Sequence, residues 1–450
     1  MTHSGDPTLD AMLNGTWINP DTGKPGARLP FKDVRILDTT DGAEADLIAP
    51  LGLGKRLAVV SDPNTNDAMG ARVARALRAI ATVDEVVIDV DEATEAHVEE
   101  VKERTRHADG VVAVGSGTLQ DLVKHATFLD GRKFATFATA ASMNGYTSVT
   151  ASITAANGFK QSLKSHASQG IFMDVEVAAR APAFLARAGL GDCLCRSTAQ
   201  VDWRLSNALF GTTYFEAPFT IQMDDERDLL KRAAGVDKGD HAAIRTLYKV
   251  LTWVGLGTVF TGTSHHGSMS EHMISHWIDM FAGDDHPGTL HGHQVGYAAV
   301  SMSRLQNAIF RSPVPPVLKP TRIDEAWMMR RYGPSNGAYC LAEARAKAMD
   351  DETVARINAA FEDWDRFREP LLEVMLPTEV LVKALRDCGG YVTAMSSGLP
   401  APVYAEALLH ARDIRNRFSV LDVADDGGIL ANFAAREAGL SRQSLQGEQA

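Results

Sequence analysis

Four cysteines in 450 residues, at positions 193, 195, 340 and 388, are too few for a disulfide framework, so covalent staples are excluded and reduced thiols are expected. Cys193-Leu194-Cys195 lacks the two-residue gap of a zinc ribbon and has no second pair, which leaves small buried side chains as their reading. Long apolar runs are missing too: no window approaches the roughly eighteen residues of a membrane span, and no membrane partner is expected. Basic runs that would track phosphates are absent, and the formal net charge is -12, which argues against nucleic acid. Met1-Thr2-His3-Ser4-Gly5-Asp6-Pro7 has neither the basic start nor the apolar core of a signal peptide, so a cytoplasmic protein is expected. There is no internal repeat and no low-complexity segment.

What is present is ordinary globular material, 45% apolar and 23% charged, in a chain long enough for two domains. Residues 1–45 mix Gly, Pro, Asp and Thr without period and read as an N-terminal extension with one short strand pair. From Gly54 the pattern becomes strand (56–62), helix (70–77), strand (85–90), helix (94–106), strand (110–115), helix (119–128) and strand (134–139). Such alternation predicts a mostly parallel sheet with helices on both faces, an α/β dinucleotide-binding domain over 46–181. From 182 to 450 the chain reads as an all-α domain, with helices predicted at 183–209, 226–253, 271–283, 293–311, 323–348, 352–367, 377–387 and 402–417. The last dozen residues are polar and are expected to be disordered.

Several stretches carry chemistry. Gly115-Ser116-Gly117-Thr118 follows an apolar strand and opens a helix, where backbone amides can hold a pyrophosphate; a bare strand-to-helix turn is the other reading. Asp62, at the end of the first strand of the repeat, is placed either to accept from an adenosine ribose, which would favour NAD over NADP, or to cap the next helix. Thr139-Ala140-Ala141-Ser142-Met143-Asn144-Gly145-Tyr146-Thr147-Ser148 offers hydroxyls and an amide after a strand, as a binding segment or as a plain loop. In Ser270-Glu271-His272-Met273-Ile274-Ser275-His276 two imidazoles lie one helical turn apart, and His291 of Leu290-His291-Gly292-His293 is a candidate third. Asp192, in Gly189-Leu190-Gly191-Asp192, is the candidate oxygen ligand for a divalent metal, while His265, His266, His286 and His293 compete on spacing alone.

Taken together in this order, Gly115 to Thr118, Ser142 to Ser148, Gly191-Asp192, the Ser-Glu-His-x-x-Ser-His run and His291-Gly292-x-x-Val295-Gly296 resemble the sn-glycerol-1-phosphate dehydrogenases. These belong with the iron-containing alcohol dehydrogenases, glycerol dehydrogenases and dehydroquinate synthases. The resemblance implies that Asp192, His272 and His291 ligate zinc, nickel or iron, and that Asn144, Asp192 and His276 meet the substrate. It implies that Gly115, Gly117, Thr118, Leu119 and Asp121 wrap the pyrophosphate of NAD or NADP, and that Thr139, Ser142 and Ser148 hold the rest of the cofactor. Two positions depart from the pattern: Asn144 stands where aspartate is usual, and His265 where Ser-Arg-Pro-Ala-Ser-Gly carries arginine, although Lys160 and Lys164 remain as phosphate contacts.

The expected activity is metal-dependent, NAD(P)H-linked reduction of dihydroxyacetone phosphate to sn-glycerol 1-phosphate, with His276 delivering the proton and the active site in the cleft between the two domains. A phosphorylated triose or polyol as small-molecule substrate and a homo-oligomer follow from the same resemblance. The alternatives are a dehydrogenase for another polyol, polyol phosphate or alcohol, and a dehydroquinate-synthase-like lyase; a non-catalytic sensor would be expected to have lost its ligand residues.

Overall fold

The computed structural model describes residues 4–156 and 158–440. It divides into two compact units, one taking the chain up to Cys193 together with Phe215–Ser264, the other Leu194–Tyr214 together with the described chain from His265 onward. Among the described residues no helix is long and apolar enough to cross a membrane. All four cysteines are buried and none is joined in a disulfide. The disorder expected of the last dozen residues concerns positions almost wholly outside the described residues.

In the first unit a short antiparallel pair, β1 (Ile18–Asn19) and β2 (Lys24–Pro25), precedes β3 (Asp33–Leu37), β4 (Arg56–Ser61), β5 (Thr82–Val87), β6 (Gly110–Gly115) and β7 (Lys133–Ala138). A hairpin of β8 (Thr150–Thr154) and β9 (Lys160–Lys164) follows, then β10 (Gly170–Asp174). Six strands form one parallel sheet in the order β3-β10-β7-β6-β4-β5. Side chains alternate across it, as the two-residue period of a strand requires. Ala58, Val60, Val111 and Ala113 pack on one face with Val98, Leu122 and Val123, whereas Leu57, Val59, Val112 and Val114 pack on the other with Leu47, Val73 and Leu77. Burial on both faces is why these strands read as continuous Val and Ala runs.

Three sequence expectations need correction. Residues 1–45 are not all an extension, because Asp33–Leu37 is the edge strand of the main sheet; its partner β10 lies more than 130 residues away, so no local pattern announces the pairing. The long helices expected at 183–209 and 226–253 are each two. Ala183–Cys193 gives way to Cys195–Phe210, and Ala217–Asp237 to His241–Thr261, where Gly239 at φ +64° ends one helix and the Asp240 carboxylate caps the next. The units also divide differently from a cut after residue 181. Helices Ala217–Asp237 and His241–Thr261 belong with the sheet: Arg245 donates to the Ile36 carbonyl at 2.7 Å, and the Tyr248 hydroxyl to that of Ala138 at 3.2 Å.

The second unit is helical. One apolar core joins Val201, Leu205 and Leu209 to Met273, Trp277, Tyr297, Met302, Tyr404 and Leu421. Asp202 ties four of its helices together, accepting from the Ser270 amide (3.3 Å) and hydroxyl, from Gln306 Nε2 (3.1 Å) and from the Val420 amide (3.1 Å).

Candidate functional site

The C-terminal ends of β6 and β7 bring two of the predicted segments side by side. The Thr139 amide donates to the Gly115 carbonyl at 3.3 Å, and a Cβ on Gly117 would sit 3.1 Å from Met143 Cγ. Gly115 leads through Ser116, whose side chain makes no cap bond, into the helix Gly117–Leu129, so the amides of Gly117, Thr118 and Leu119 open it, with Asp121 in the next turn. This is the arrangement in which a helix start accepts an anion. Thr139, Ser142 and Ser148 are buried there.

Two glycines let helices touch the 139–148 loop. A Cβ on Gly189 would lie 1.9 Å from the Ala141 carbonyl oxygen, and one on Gly255 would lie 2.3 Å from that of Asn144. The loop is further held by the Tyr146 hydroxyl on the Ala140 carbonyl (2.8 Å) and the Thr147 hydroxyl on that of Thr252 (2.9 Å). The consequence falls on Asp192: the Asn144 amide donates to its Oδ2 at 3.0 Å, which orients the carboxylate. The Asn144 side-chain amide itself is not engaged in a hydrogen bond among the described residues.

Lys124 was not singled out by sequence. Its ammonium is fully buried and donates to Asp121 Oδ1 (3.2 Å), the Gly145 carbonyl (2.7 Å), Ser148 Oγ (3.2 Å) and the Thr150 carbonyl (3.0 Å). Burial pushes its pKa down and Asp121 opposes the shift. Asp121 Oδ2 also accepts from the Ser152 amide at 3.0 Å, so Asp121 and Ser148 serve this internal network. Of the two readings of Asp62, the structure displays the cap: its Oδ1 accepts from the Thr65 amide at 2.9 Å while its own amide donates to the Thr65 hydroxyl. Lys160 and Lys164 stand on β9.

In the second unit the helix Ser270–Phe281 carries His272 and His276, and His291 begins the helix His291–Phe310. The ring of His291 is centred 5.0 Å from that of His272 and 5.2 Å from that of His276. Asp192, in the first unit, and His272 and His291, in the second, each offer one ligand atom and form a group that could hold a metal ion. Hydrogen bonds on the far side of each ring decide which nitrogen is offered. His272 Nδ1 is 3.0 Å from Glu271 Oε1; the same oxygen accepts from the Met269 amide (2.8 Å), and Oε2 accepts from the Thr198 hydroxyl (2.9 Å). A carboxylate only accepts, so Nδ1 carries the proton and Nε2 the lone pair.

His291 is fixed through a longer chain. Gln294 Nε2 donates to Asp279 Oδ1 (2.9 Å), which turns Gln294 Oε1 toward the Ser275 hydroxyl (2.7 Å). Having donated there, Ser275 accepts from His291 Nδ1 at 2.8 Å, and the lone pair again falls on Nε2. Two imidazole Nε2 atoms and a carboxylate oxygen suit a divalent metal with an open position. The competing histidines have other surroundings: His286 contacts Asp279 (3.2 Å), His293 packs edge-on against Tyr391, and His265 lies beside Trp203. Burial, then Arg417, His266 and Arg415, push His265 down to about 3, so it is neutral at physiological pH.

The family model described as iron-containing alcohol dehydrogenase matches residues 35–182, which span most of the sheet. The solved glycerol dehydrogenase of Schizosaccharomyces pombe superposes with a TM-score of 0.60 at 16% identity, over 93% of this chain and 92% of that one, a likeness of fold. The chain is 32% identical over 251 residues to the NAD(P)+-linked glycerol-1-phosphate dehydrogenase of Methanothermobacter thermautotrophicus, covering 56% of this chain and 71% of that enzyme. It is 33% identical over 253 residues to the enzyme of the same name from Bacillus velezensis, covering 54% of this chain and 64% of the relative, just under two thirds of its length. The chain belongs to the glycerol-1-phosphate dehydrogenase family.

Proposed function

We propose that the protein catalyses the reversible NAD(P)H-linked reduction of dihydroxyacetone phosphate to sn-glycerol 1-phosphate. The observation that carries the reading is the His272 and His291 pair, which with Asp192 makes a donor set fit for a metal, in a chain whose relatives are glycerol-1-phosphate dehydrogenases. Asp192 Oδ1 or Oδ2 and the Nε2 atoms of His272 and His291 would hold zinc, nickel or iron. When bound, the metal supplies a Lewis acid for the ketone oxygen and the reduced nicotinamide supplies hydride for the carbonyl carbon.

The chain's own residues do the rest. Gly115, Gly117, Thr118 and Leu119 bring backbone to the pyrophosphate, Thr139 and Ser142 line the cofactor, and Asp121 and Ser148 shape that wall through Lys124. Asp62, with one carboxylate oxygen committed to its cap, would present the other to the ribose. Asn144 would hydrogen-bond a substrate hydroxyl through its side-chain amide. His276 completes the reaction: the ketone oxygen gains one proton for each hydride the carbon gains, and His276 Nε2 would deliver it. Arg415 Nη2 lies 3.5 Å from His276 Nδ1, and a guanidinium only donates, which favours the proton on Nε2.

NADH oxidation with dihydroxyacetone phosphate, followed by stereochemical assay of the product, tests the reading. Formation of sn-glycerol 1-phosphate is the expected result; turnover of unphosphorylated ketones alone would favour the second reading, a dehydrogenase for another polyol, to which neutral His265 points. A transient nicotinamide signal without net oxidation would indicate lyase chemistry instead. A cytoplasmic location and a homo-oligomer complete the proposal, the latter tested by sedimentation.

A further inference from the structure

We propose that Arg415 and Arg417 bind the anionic end of the substrate, which makes that substrate a phosphate ester; this rests on the reading that His276 contacts substrate. The two arginines stand two residues apart in the stretch between Ile414 and Val420, one reaching the histidine helix and the other the chain just ahead of it. Arg415 Nη2 lies 3.5 Å from His276 Nδ1, and Arg417 Nη1 donates to the carbonyl of Ser268, just ahead of Ser270. His276 is in turn a ring's width from His291, at 5.2 Å between centroids. In a triose phosphate the carbonyl carbon and phosphorus are separated by one carbon and one ester oxygen. A ketone held at His272 and His291 therefore places its phosphate about one side chain away, within reach of the Arg415 guanidinium beside His276.

The segment is built to hold them. The Asn416 amide donates to Glu343 Oε2 (2.8 Å), and the Arg417 carbonyl accepts from Lys347 Nζ (3.3 Å). Arg412 contrasts with its neighbours: it is ringed by Asp422, Asp425 and Asp426, an ion-pair cluster that fixes the fold. Arg415 forms no ion pair among the described residues; the groups that act on it from a distance are Tyr339 and Glu343. Burial pushes both guanidiniums down, and Arg415 lowers Arg417 further, to about 9. Two like charges partly withdrawn from water gain from a dianion, and the planar guanidinium fork matches phosphate oxygens. With His265 neutral, this pair supplies the cations that position does not.

The experiment uses the full-length, metal-loaded enzyme, with inorganic phosphate as a competitive inhibitor and with dihydroxyacetone phosphate and dihydroxyacetone as paired substrates. In Arg415→Gln, the kcat/KM ratio of phosphorylated to unphosphorylated ketone is expected to fall roughly 100-fold. Inhibition by phosphate should weaken in parallel, with partial recovery in Arg415→Lys. Arg417→Gln and Arg417→Lys repeat the test should Arg415→Gln fail to fold. An unchanged ratio and unchanged phosphate inhibition, in folded variants of normal metal content, overturn the assignment while leaving the proposed reaction in place. If the parent enzyme reduces only unphosphorylated ketones, yet phosphate competes and Arg415→Gln abolishes that competition, the anion site stands and the proposed reaction fails. If phosphate does not compete and dihydroxyacetone phosphate is not reduced, both fail.

Discussion

Replacing Glu271 by glutamine removes one negative charge from behind His272 and leaves the atoms nearly in place. Burial opposes ionisation of Glu271, yet the bonds from His272 and the Met269 amide hold its carboxyl below the usual glutamate range, so the native group is the carboxylate. The glutamine oxygen can keep both of those bonds, and its amide nitrogen can donate to the Thr198 hydroxyl, which also accepts; the fold should survive. What is lost is the charge assistance. Hydrogen bonds to ionised groups contribute about 1.5–3 kcal/mol against about 0.5–1.5 for neutral ones, so the change at His272 is about 1–1.5 kcal/mol. That corresponds to roughly tenfold in metal affinity, at the lower end of the 10- to 100-fold that outer partners of metal-binding histidines typically control. Chelator competition at fixed pH measures it, with thermal unfolding of the metal-free proteins as the control. A Glu271→Gln protein that folds normally and binds metal as tightly as its parent would refute the tautomer argument.

His272→Ala should abolish metal retention and turnover together; full activity in a metal-free His272→Ala protein would overturn the metal mechanism. Gly189→Ala places a Cβ 1.9 Å from the Ala141 carbonyl oxygen, so destabilisation of about 1–3 kcal/mol is expected by urea unfolding, together with weaker metal binding as the Asn144 to Asp192 contact shifts; no change in either would show that the loop gives way freely. Burial pushes the Asp202 carboxyl up to about 7 against its hydrogen bonds from Ser270, Val420 and Gln306. Since an unfolded aspartate titrates near ~3.9, the folded chain binds the proton more tightly, and this contribution to stability is complete below about pH 4 and lost as pH rises through about 7. Between about pH 4 and pH 7 the slope of unfolding free energy against pH should therefore be more positive in Asp202→Asn than in the parent, and identical slopes would contradict it.

How much of this was legible depended on how local each signal was. The Val and Ala runs of β4 and β6 and the Gly115 to Gly117 turn declare themselves within a few residues, and the His272, His276 and His291 spacing declares a shared site. Strand β3 could not be read this way, because Asp33-Val34-Arg35-Ile36-Leu37 finds its sheet neighbour in the distant β10. The break between the helices at 217–237 and 241–261 was legible in Gly239-Asp240, a stop followed by a cap, and was overridden by the apolar periodicity on either side. Glu271 and Ser275 lie inside the Ser270 to His276 run, but their work depends on Thr198 and Gln294, which spacing does not reveal. Arg415 reaches His276 across 139 residues, a distance over which sequence pattern says nothing about contact.

The bond from position 144 to Asp192 is made by main chain, not by side chain. Any residue other than proline can supply that N–H, so the side chain at 144 is at liberty to change while the carboxylate keeps its aim. In the proposed reaction, metal retention and substrate preference would thereby be uncoupled at a single residue. Asparagine at this position is what such a separation allows: a lineage can rewrite what the pocket selects for without first rebuilding the centre that does the chemistry.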